Sequence, residues 1–307
     1  MESINNYLGV STSRLSSKKT IVVLGANGQL GRCLQDRTFL LASSNYTIVF
    51  TNSAEVDITD EQQVKRIFEK YQPAYCINAA AYTAVDKAEE EKEKAFAVNE
   101  SGAKNMATYC KKFHTICIHI STDFVFKGNT CIPLTEDEVP APVNSYGASK
   151  YAGEKAIQQI YPKHIILRTS WLFSEYRSNF LKTMNLLARE KKVTKVVSDQ
   201  IGTPTYAGDL AELIFKIIET EKFPFGIYHF SNEGVASWYD FAYEVFKFYK
   251  TEKNLQPIPS EAYPTPAKRP HFTVFNKRKI KQQLQFSIAH WRENIPHVLE
   301  ILSKAKT

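Results

Sequence analysis

Short apolar runs rich in β-branched residues alternate with amphipathic stretches along the first half of the chain. Five of these runs are almost continuously apolar, which is typical of strands buried on both faces of a parallel sheet. They lie at 20–24, 46–50, 74–78, 115–121 and 164–170. Helical patterns separate them, among them 59–71, which starts with a Thr or Asp cap, and a long one around 88–112. The alternation predicts an α/β fold built on a doubly wound, Rossmann-like parallel sheet.

After residue 170 the pattern becomes less regular and predicts a second unit. Helical stretches lie at 179–190, 207–220 and 237–249, strands at 194–199 and 226–232, and a proline-rich loop at 257–270. We therefore expect a smaller α/β substrate-binding lobe over the carboxyl ends of the sheet. The predicted division is a disordered tail at 1–18, a sheet domain at 19–170 with return segments around 194–232, and a lobe formed by 171–193 and 233–307.

Composition narrows the classes of ligand and partner. The 307-residue chain has a formal net charge of +7, a mild basic excess that suits anionic small ligands such as nucleotides. Its densest basic run lacks interleaved aromatic residues, so no nucleic-acid partner is predicted. No apolar run approaches the ~20 residues that cross a bilayer, so no membrane partner is predicted. The five cysteines form no C-x-x-C pair and predict reduced thiols, a cytoplasmic location and no metal site.

A glycine-rich segment, "GANGQLG", directly follows the first predicted strand and contains Gly25, Gly28 and Gly31. Glycine at these places permits a tight turn, close approach of the backbone to a diphosphate, and close packing of helix on strand. The anion then lies at the N-terminus of the following helix. This position between a buried strand and a helix predicts a dinucleotide-binding loop. Its G-x-x-G-x-x-G spacing resembles that of the short-chain dehydrogenase/reductase superfamily.

The residues after the second predicted strand bear on the choice between NADPH and NADH. An acid there would bind the ribose 2′-hydroxyl and disfavour a 2′-phosphate. The chain instead has Thr51, Asn52 and Ser53, with no acid before Glu55. Arg32, directly after the glycine loop, could pair with a 2′-phosphate. The sequence therefore favours NADPH, and it leaves NADH and a plain surface role for Arg32 open.

A tyrosine and a lysine four residues apart, Tyr146 and Lys150, occur in "SYGASKYAGEK". On a helix this spacing brings phenol and ammonium to one face. The pair alone would also suit an ordinary helix surface, but after a dinucleotide-binding loop it predicts an oxidoreductase. A lysine charge about 5 Å from the phenol, at an effective dielectric near 20, would lower the pKa of Tyr146 from ~10 to near ~8. Such a phenol is ready to act as a general acid.

Further segments give the chain a more specific resemblance. In order they are "VDITD", "INAAAYTAVDKAE", "HISTDFVFKG", "PVNSYGASKYAGEKAI", "LRTSWLF", "NFLKTM", "DQIGTPTY" and "PTPAKRP". With the glycine loop they resemble the dTDP-4-dehydrorhamnose reductases, from about residue 21 to at least residue 292. The resemblance implies NADPH-dependent reduction of the C4 ketone of dTDP-4-dehydro-6-deoxy-L-mannose to dTDP-L-rhamnose, with a nucleotide sugar as substrate.

The resemblance also implies residue roles. The implied catalytic residues are Thr122, Tyr146, Lys150 and Asn99, with Ser121 as a less favoured substitute for Thr122. The implied cofactor-binding residues are Gly25, Asn27, Gly28, Gln29, Leu30, Gly31, Arg32, Asp57, Ile58, Ala79, Ala80, Ala81, Tyr82, Asn99, Tyr146 and Lys150. Val85, Asp123, Phe124, Trp171 and Arg269 fall where the family contacts the deoxysugar or its diphosphate. Asn99 would support the lysine through its helix backbone and a water.

Several alternatives stay open at this point. Phe124 stands where the family usually has a tyrosine, which weakens the inference of the exact sugar. A 4,6-dehydratase would need a glutamate there, and epimerase/reductases usually place a cysteine nearby, so reduction alone is favoured. A UDP-linked sugar, a homodimer and a metal between subunits remain open. So does a non-catalytic NADP-binding role like that of the regulatory subunit of methionine adenosyltransferases, although the complete catalytic set argues against it.

Overall fold

The structure is a computed structural model that describes residues 18–41, 45–220 and 222–304. The predicted tail at 1–18 lies outside these ranges apart from Lys18. Within them, no helix is both long enough and apolar enough to cross a bilayer.

Six parallel strands form the central sheet of the described chain. In chain order, all strands of the described residues are β1 (Lys19–Leu24), β2 (Tyr46–Thr51), β3 (Tyr75–Asn78), β4 (Ile116–Thr122), β5 (His164–Thr169), β6 (Leu172–Phe173), β7 (Thr194–Val197), β8 (Ile201–Gly202), β9 (Thr205–Tyr206), β10 (Gly226–His229), β11 (Ala236–Ser237) and β12 (Leu255–Ile258), and the central sheet uses β1 to β5 and β10. The sheet has the order β10-β5-β4-β3-β1-β2, and every neighbouring pair is parallel. The five strands predicted in the first half of the chain are thus confirmed.

The helices follow the predicted alternation, with one interruption. They are α1 (Gln29–Asp36), α2 (Glu61–Tyr71), α3 (Lys92–Phe96), α4 (Gly102–Lys112), α5 (Ser145–Ile160), α6 (Phe180–Arg189), α7 (Ala207–Glu219), α8 (Trp238–Phe248), α9 (Arg278–Leu284) and α10 (Trp291–Lys304). A π-helical turn, Ala97–Ser101, joins α3 to α4, so the long helix expected around 88–112 contains a local change of pitch. Such turns often occur at functional sites.

Helices cover both faces of the central sheet. Val22 and Val23 of β1 point to opposite faces, as neighbouring residues of a strand do. Val23 packs in one core with Leu34 of α1 and Ile214 of α7. Val22 packs in another core with Phe68 of α2. Burial on both faces explains why these strands are apolar throughout, and the predicted doubly wound α/β fold is confirmed.

A third core lies outside the central sheet and is built by α6, α8 and α10. Its fully buried members include Leu181 of α6, Phe241 of α8 and Trp291 of α10. Short strand pairs accompany it: β6 with β9 and β7 with β12 in parallel, and β8 with β11 antiparallel. From the same half of the chain, α7 and β10 return to the central sheet, where β10 pairs with β5. The division into two domains at the predicted boundaries stays a prediction.

Candidate active site

A cleft of about 840 Å³ lies where the central strands end, the edge at which parallel sheets bind ligands. It gathers most of the residues singled out from the sequence. Those that line it are Gly25, Asn27, Gly28, Gln29, Leu30, Asp57, Ile58, Ala79, Ala80, Ala81, Tyr82, Val85, Thr122, Asp123, Phe124, Tyr146, Lys150, Trp171 and Arg269. Gly31, Arg32 and Asn99 are not among the lining residues.

The glycine loop has the geometry that a dinucleotide diphosphate requires. Gly25 has a φ of +84°, and a Cβ on it would lie 2.5 Å from the backbone nitrogen of Ala80. A Cβ on Gly31 would lie 2.5 Å from the carbonyl oxygen of Gly25, so Gly31 lets α1 pack closely against the glycine loop. Gly28 precedes α1 and offers no side-chain cap, which leaves the first backbone N–H groups of the helix available for an anion. The loop therefore fits a dinucleotide.

The end of the cleft nearest β2 is lined by two neutral polar residues and one acid. Asn52 and Ser53 line it, together with the exposed Asp57. Glu55 turns back, and its carboxylate accepts a hydrogen bond from the backbone nitrogen of Asn52 at 2.8 Å. Arg32 is exposed on α1, outside the residues that line the cleft. Its pairing with a 2′-phosphate stays a prediction.

Tyr146 lies in the first turn of α5, and the local sequence explains why the helix starts there. The Asn144 side chain accepts a hydrogen bond from the backbone nitrogen of Gly147 at 2.7 Å and so caps α5. The phenol ring meets the edge of Phe124, with ring centroids 5.6 Å apart. Burial raises the pKa of Tyr146 to about 12, a hydrogen bond with Thr122 opposes the rise, and the charge of Asp123 adds to it.

The expected lowering of the Tyr146 pKa towards ~8 is therefore wrong for this structure. The physical reason is desolvation, since a phenolate in this cleft loses more solvation than nearby charges restore. Lys150 carries the lowered pKa instead. It is 2% exposed, and burial lowers its pKa to about 8, while the negative charge of Glu154 opposes that shift. Its Nζ donates to the carbonyl oxygen of Ile120 at 2.6 Å.

Thr122 ends β4 at the floor of the cleft and is held by its neighbours. Its hydroxyl donates to Asp123 at 3.1 Å and accepts from the backbone nitrogen of Phe124 at 3.2 Å. Thr273 donates to the other oxygen of Asp123 at 2.7 Å. Burial raises the pKa of Asp123 to about 6 against the pull of the hydrogen bonds from Thr273 and Thr122. The Ser121 hydroxyl is buried and makes no hydrogen bond within the described residues.

Aromatic rings from the second half of the chain also line the cleft. Trp171 has a φ of +47°, unusual for a bulky residue, and stacks on Trp238 with centroids 3.6 Å apart and planes within 5°. Phe180 packs on Trp238 at 4.7 Å between centroids. Arg269 also lines the cleft and is paired with Asp86 at 2.8 Å.

The sequence of the chain matches one known protein family over almost its full length. The model of the RmlD substrate binding domain matches residues 19–304, which is nearly the whole chain. The chain belongs to the RmlD substrate-binding domain family.

Known members of the RmlD family align with almost the full length of the chain. A dTDP-4-dehydrorhamnose reductase of Aggregatibacter actinomycetemcomitans is 38% identical over 288 residues, covering 91% of this chain and 97% of the relative. The dTDP-4-keto-6-deoxy-D-glucose reductase of Streptomyces niveus is 32% identical and covers 92% and 97%. The crystal structure of a dTDP-4-dehydrorhamnose reductase from Bacillus anthracis in complex with NADP matches with a TM-score of 0.87 at 37% identity, covering 92% of this chain and 99% of that one.

One residue predicted to be catalytic, Asn99, does not line the cleft. It is fully buried in the π-helical turn, and its side chain donates to the carbonyl oxygen of Tyr82 at 3.0 Å and to the Ser149 hydroxyl at 2.9 Å. It also accepts from the backbone nitrogen of Tyr82 at 2.9 Å. Asn99 therefore joins the cleft-lining segment to α5, and its predicted water-mediated support of Lys150 stays a prediction.

Sequence reasoning missed His119, which lies beneath Lys150. The Asn78 side-chain oxygen accepts a hydrogen bond from the backbone nitrogen of Ala80 at 3.1 Å. The Asn78 side-chain nitrogen lies 3.2 Å from His119 Nδ1. His119 Nε2 lies 3.4 Å from Lys150 Nζ, so the imidazole contacts both Asn78 and the lysine. Burial, helped by the charge of Lys150, lowers the pKa of His119 well below its usual range. The signal available was a polar residue inside an otherwise apolar strand.

Proposed function

We propose that the chain catalyses the NADPH-dependent reduction of the C4 ketone of dTDP-4-dehydro-6-deoxy-L-mannose to dTDP-L-rhamnose. The observation that carries this proposal is the meeting of Thr122, Tyr146 and Lys150 in one cleft with a diphosphate-binding glycine loop. The names of the aligned reductases and the NADP complex of the Bacillus anthracis relative support it.

The dinucleotide, when bound, supplies a hydride to the ketone carbon. The chain's own residues then manage the proton and the developing charge. Tyr146 holds its proton at neutral pH, because its pKa is about 12, and donates it to the ketone oxygen. Lys150, whose pKa is about 8, supplies a positive charge that stabilises the phenolate left on Tyr146. Thr122 orients the same oxygen through its hydroxyl.

The deoxysugar and its diphosphate would lie in the same cleft, next to the dinucleotide. Val85, Asp123, Phe124, Trp171 and Arg269 line the cleft and are the proposed contacts. Asp86 takes one N–H from each Nη of Arg269, which leaves the Nε edge of the planar guanidinium to bind two diphosphate oxygens. The apolar faces of Trp171 and Phe124 suit the carbon skeleton of a 6-deoxysugar. With this assignment, residues 171–193 and 233–307 form the proposed sugar-binding lobe.

The proposal is tested by the loss of NADPH absorbance when dTDP-4-dehydro-6-deoxy-L-mannose is added. The same assay is run with NADH, with the UDP-linked ketosugar, and with dTDP-4-keto-6-deoxy-D-glucose. Tyr146→Phe is expected to keep the fold and NADPH binding while losing about 10²- to 10⁴-fold in kcat. Tyr151→Phe, on the same helix, is the matched control and is expected to keep normal turnover, because Tyr151 does not line the cleft.

Three results would contradict the proposal in different ways. Normal turnover by Tyr146→Phe would remove Tyr146 as the acid. Reduction of only the UDP-linked sugar or only the D-glucose derivative would change the substrate and keep the chemistry. NADPH binding without reduction of any of these ketosugars would favour the non-catalytic, regulatory role.

A further inference from the structure

Arg177 lines the cleft, and the proposed function gives it no role. In the described part of the chain, three cationic side chains line the cleft: Lys150, Arg177 and Arg269. Lys150 donates to a carbonyl oxygen of β4, and Arg269 is paired with Asp86. Arg177 is exposed, and no hydrogen bond or ion pair to another described residue occupies its guanidinium. Its five N–H donors are therefore free for a ligand.

The backbone at Arg177 is held in a conformation that a free loop would seldom adopt. Its φ is +56°, in the left-handed region that non-glycine residues avoid. On one side of it the Ser174 hydroxyl donates to the Gln29 side-chain oxygen at 3.0 Å. On the other side the Asn179 side chain donates to the same oxygen at 2.8 Å. Gln29 therefore fixes both flanks of Arg177 at one point.

Two further hydrogen bonds tie the same segment to α1. The Gln29 side-chain nitrogen donates to the carbonyl oxygen of Leu172 at 3.3 Å. The Tyr176 hydroxyl donates to Asp36, at the far end of α1, at 2.6 Å. The segment that carries Arg177 is thus attached to both ends of the helix that follows the glycine loop.

Gln29 is the first residue of α1, and the N-terminus of α1 is where the proposed function places the dinucleotide diphosphate. The attachment therefore places the segment that carries Arg177 beside this helix end, and the Arg177 side chain lines the same cleft. We propose that Arg177 binds the diphosphate of the dinucleotide and that Gln29 is the positioning residue that holds Arg177 there. This inference rests on the proposed binding of a nicotinamide dinucleotide, but not on the identity of the sugar.

The inference is tested by titrating the full-length protein with NADPH alone and following NADPH fluorescence. Arg177→Gln is expected to raise the Kd for NADPH about tenfold, the usual effect of losing a charge-assisted hydrogen bond, and to reduce the dependence of Kd on salt. Arg177→Lys restores part of the affinity, because it keeps the charge and loses the fork. Arg189→Gln, an exposed arginine in the last turn of α6, is the matched control and leaves the Kd unchanged.

Gln29→Leu is expected to raise the Kd by a similar factor, and combining it with Arg177→Gln is expected to add little, because both act through one guanidinium. An unchanged Kd for NADPH in Arg177→Gln overturns the inference. If the KM for the sugar rises at the same time, the guanidinium serves the sugar diphosphate instead. Fully additive effects of the two variants overturn the role of Gln29. A wild-type protein that binds NADPH and reduces no ketosugar contradicts the proposed function alone.

Discussion

Asp86 holds the guanidinium of Arg269 through two hydrogen bonds, of 3.0 Å from Nη1 and 2.8 Å from Nη2. The same carboxylate accepts from the backbone nitrogen of Ala267 at 3.2 Å, so it also fixes the loop that carries the arginine. Hydrogen bonds from Arg269 hold the pKa of Asp86 below its usual range. The pair remains charged at neutral pH and presents Arg269 to the cleft in one orientation.

Replacing Asp86 with Asn is expected to raise the KM for the nucleotide sugar about tenfold, because Arg269 loses its fixed orientation and the loop loses its charged acceptor. The Kd for NADPH should not change, since neither Asp86 nor Arg269 is among the residues proposed to bind the dinucleotide. Steady-state kinetics and a fluorescence titration measure the two constants separately. A lower KM in Asp86→Asn would mean that Asp86 competes with the sugar diphosphate for Arg269.

The pKa values of Lys150 and Tyr146 predict how the rate depends on pH. Below its pKa of about 8, Lys150 is an ammonium ion and stabilises the phenolate that forms on Tyr146. As the pH rises through about 8, this charge is lost while Tyr146 keeps its proton, so kcat should fall although the acid itself is intact. A profile of kcat at saturating substrates from about pH 6 to about pH 10 measures the midpoint. The Lys150→Arg variant should have a lower kcat but no decrease of kcat above about pH 8, because a guanidinium stays charged. If the decrease persists in this variant, another group causes it.

The raised pKa of Asp123 predicts a second change in the rate, on the acidic side of the pH profile. Its pKa is about 6, so its carboxylate accepts from Thr122 and Thr273 above that pH and is protonated below it. Loss of the carboxylate releases Thr122, and kcat/KM should fall as the pH drops through about 6. Thr273→Val should move this midpoint upward, since the hydrogen bond from Thr273 opposes the rise in pKa. An acid-side midpoint that is the same in Thr273→Val would rule out Asp123 as its source.

A buried ion pair beneath the active site predicts a large effect on stability. Arg168 and Glu154 are 1% and 0% exposed and form two hydrogen bonds, of 2.9 and 2.7 Å. Glu154→Gln leaves the Arg168 charge buried without its partner and should lower the free energy of unfolding by about 3–5 kcal/mol. Urea denaturation measures this change. Glu154→Gln combined with Arg168→Met should recover much of the loss, and equal stability of the single variant and the wild type would contradict the prediction.

Asn52 offers a test of cofactor preference without a change of fold. Its side-chain oxygen accepts from the backbone nitrogen of Ala54 at 2.9 Å, a bond that an aspartate can also make. Asn52→Asp adds a carboxylate to the end of the cleft where a 2′-phosphate would lie, so the ratio of the NADPH and NADH affinities should shift towards NADH by about tenfold. Arg32→Gln is the companion variant: if it shifts the ratio as strongly, the predicted pairing of Arg32 with the 2′-phosphate is supported.

The sheet, its helices and the glycine loop were predictable because short stretches of sequence encode them. Val22 and Val23 had to be apolar for a strand buried on both faces, and Gly25 had to be glycine for the turn that follows. Tyr146 and Lys150 were found by their helical spacing. In each case the pattern and the structural requirement span only a few residues, so no knowledge of distant contacts was needed.

The electrostatics of the site could not be predicted in the same way, because burial and distant neighbours determine them. The pKa shifts of Tyr146 and Lys150 follow from desolvation, which sequence spacing does not reveal. His119 lies 31 positions before Lys150 and meets it only because β4 and α5 pack together. Lys277, in the densest basic run of the chain, is only 7% exposed and donates to the carbonyl oxygen of Asn232 at 2.8 Å.

The conformation of Trp171 restricts which residue can occupy position 202, although Gly202 does not line the cleft. The indole ring occupies the volume next to Gly202, where an added Cβ would lie 2.7 Å from Trp171 Cε2. Any other residue at 202 must displace the ring from its stack on Trp238. The shape of the aromatic side of the cleft is thus encoded partly by the absence of a side chain in β8. Among natural or designed variants, a substitution at 202 would appear as an altered sugar preference in a protein whose lining residues are all unchanged.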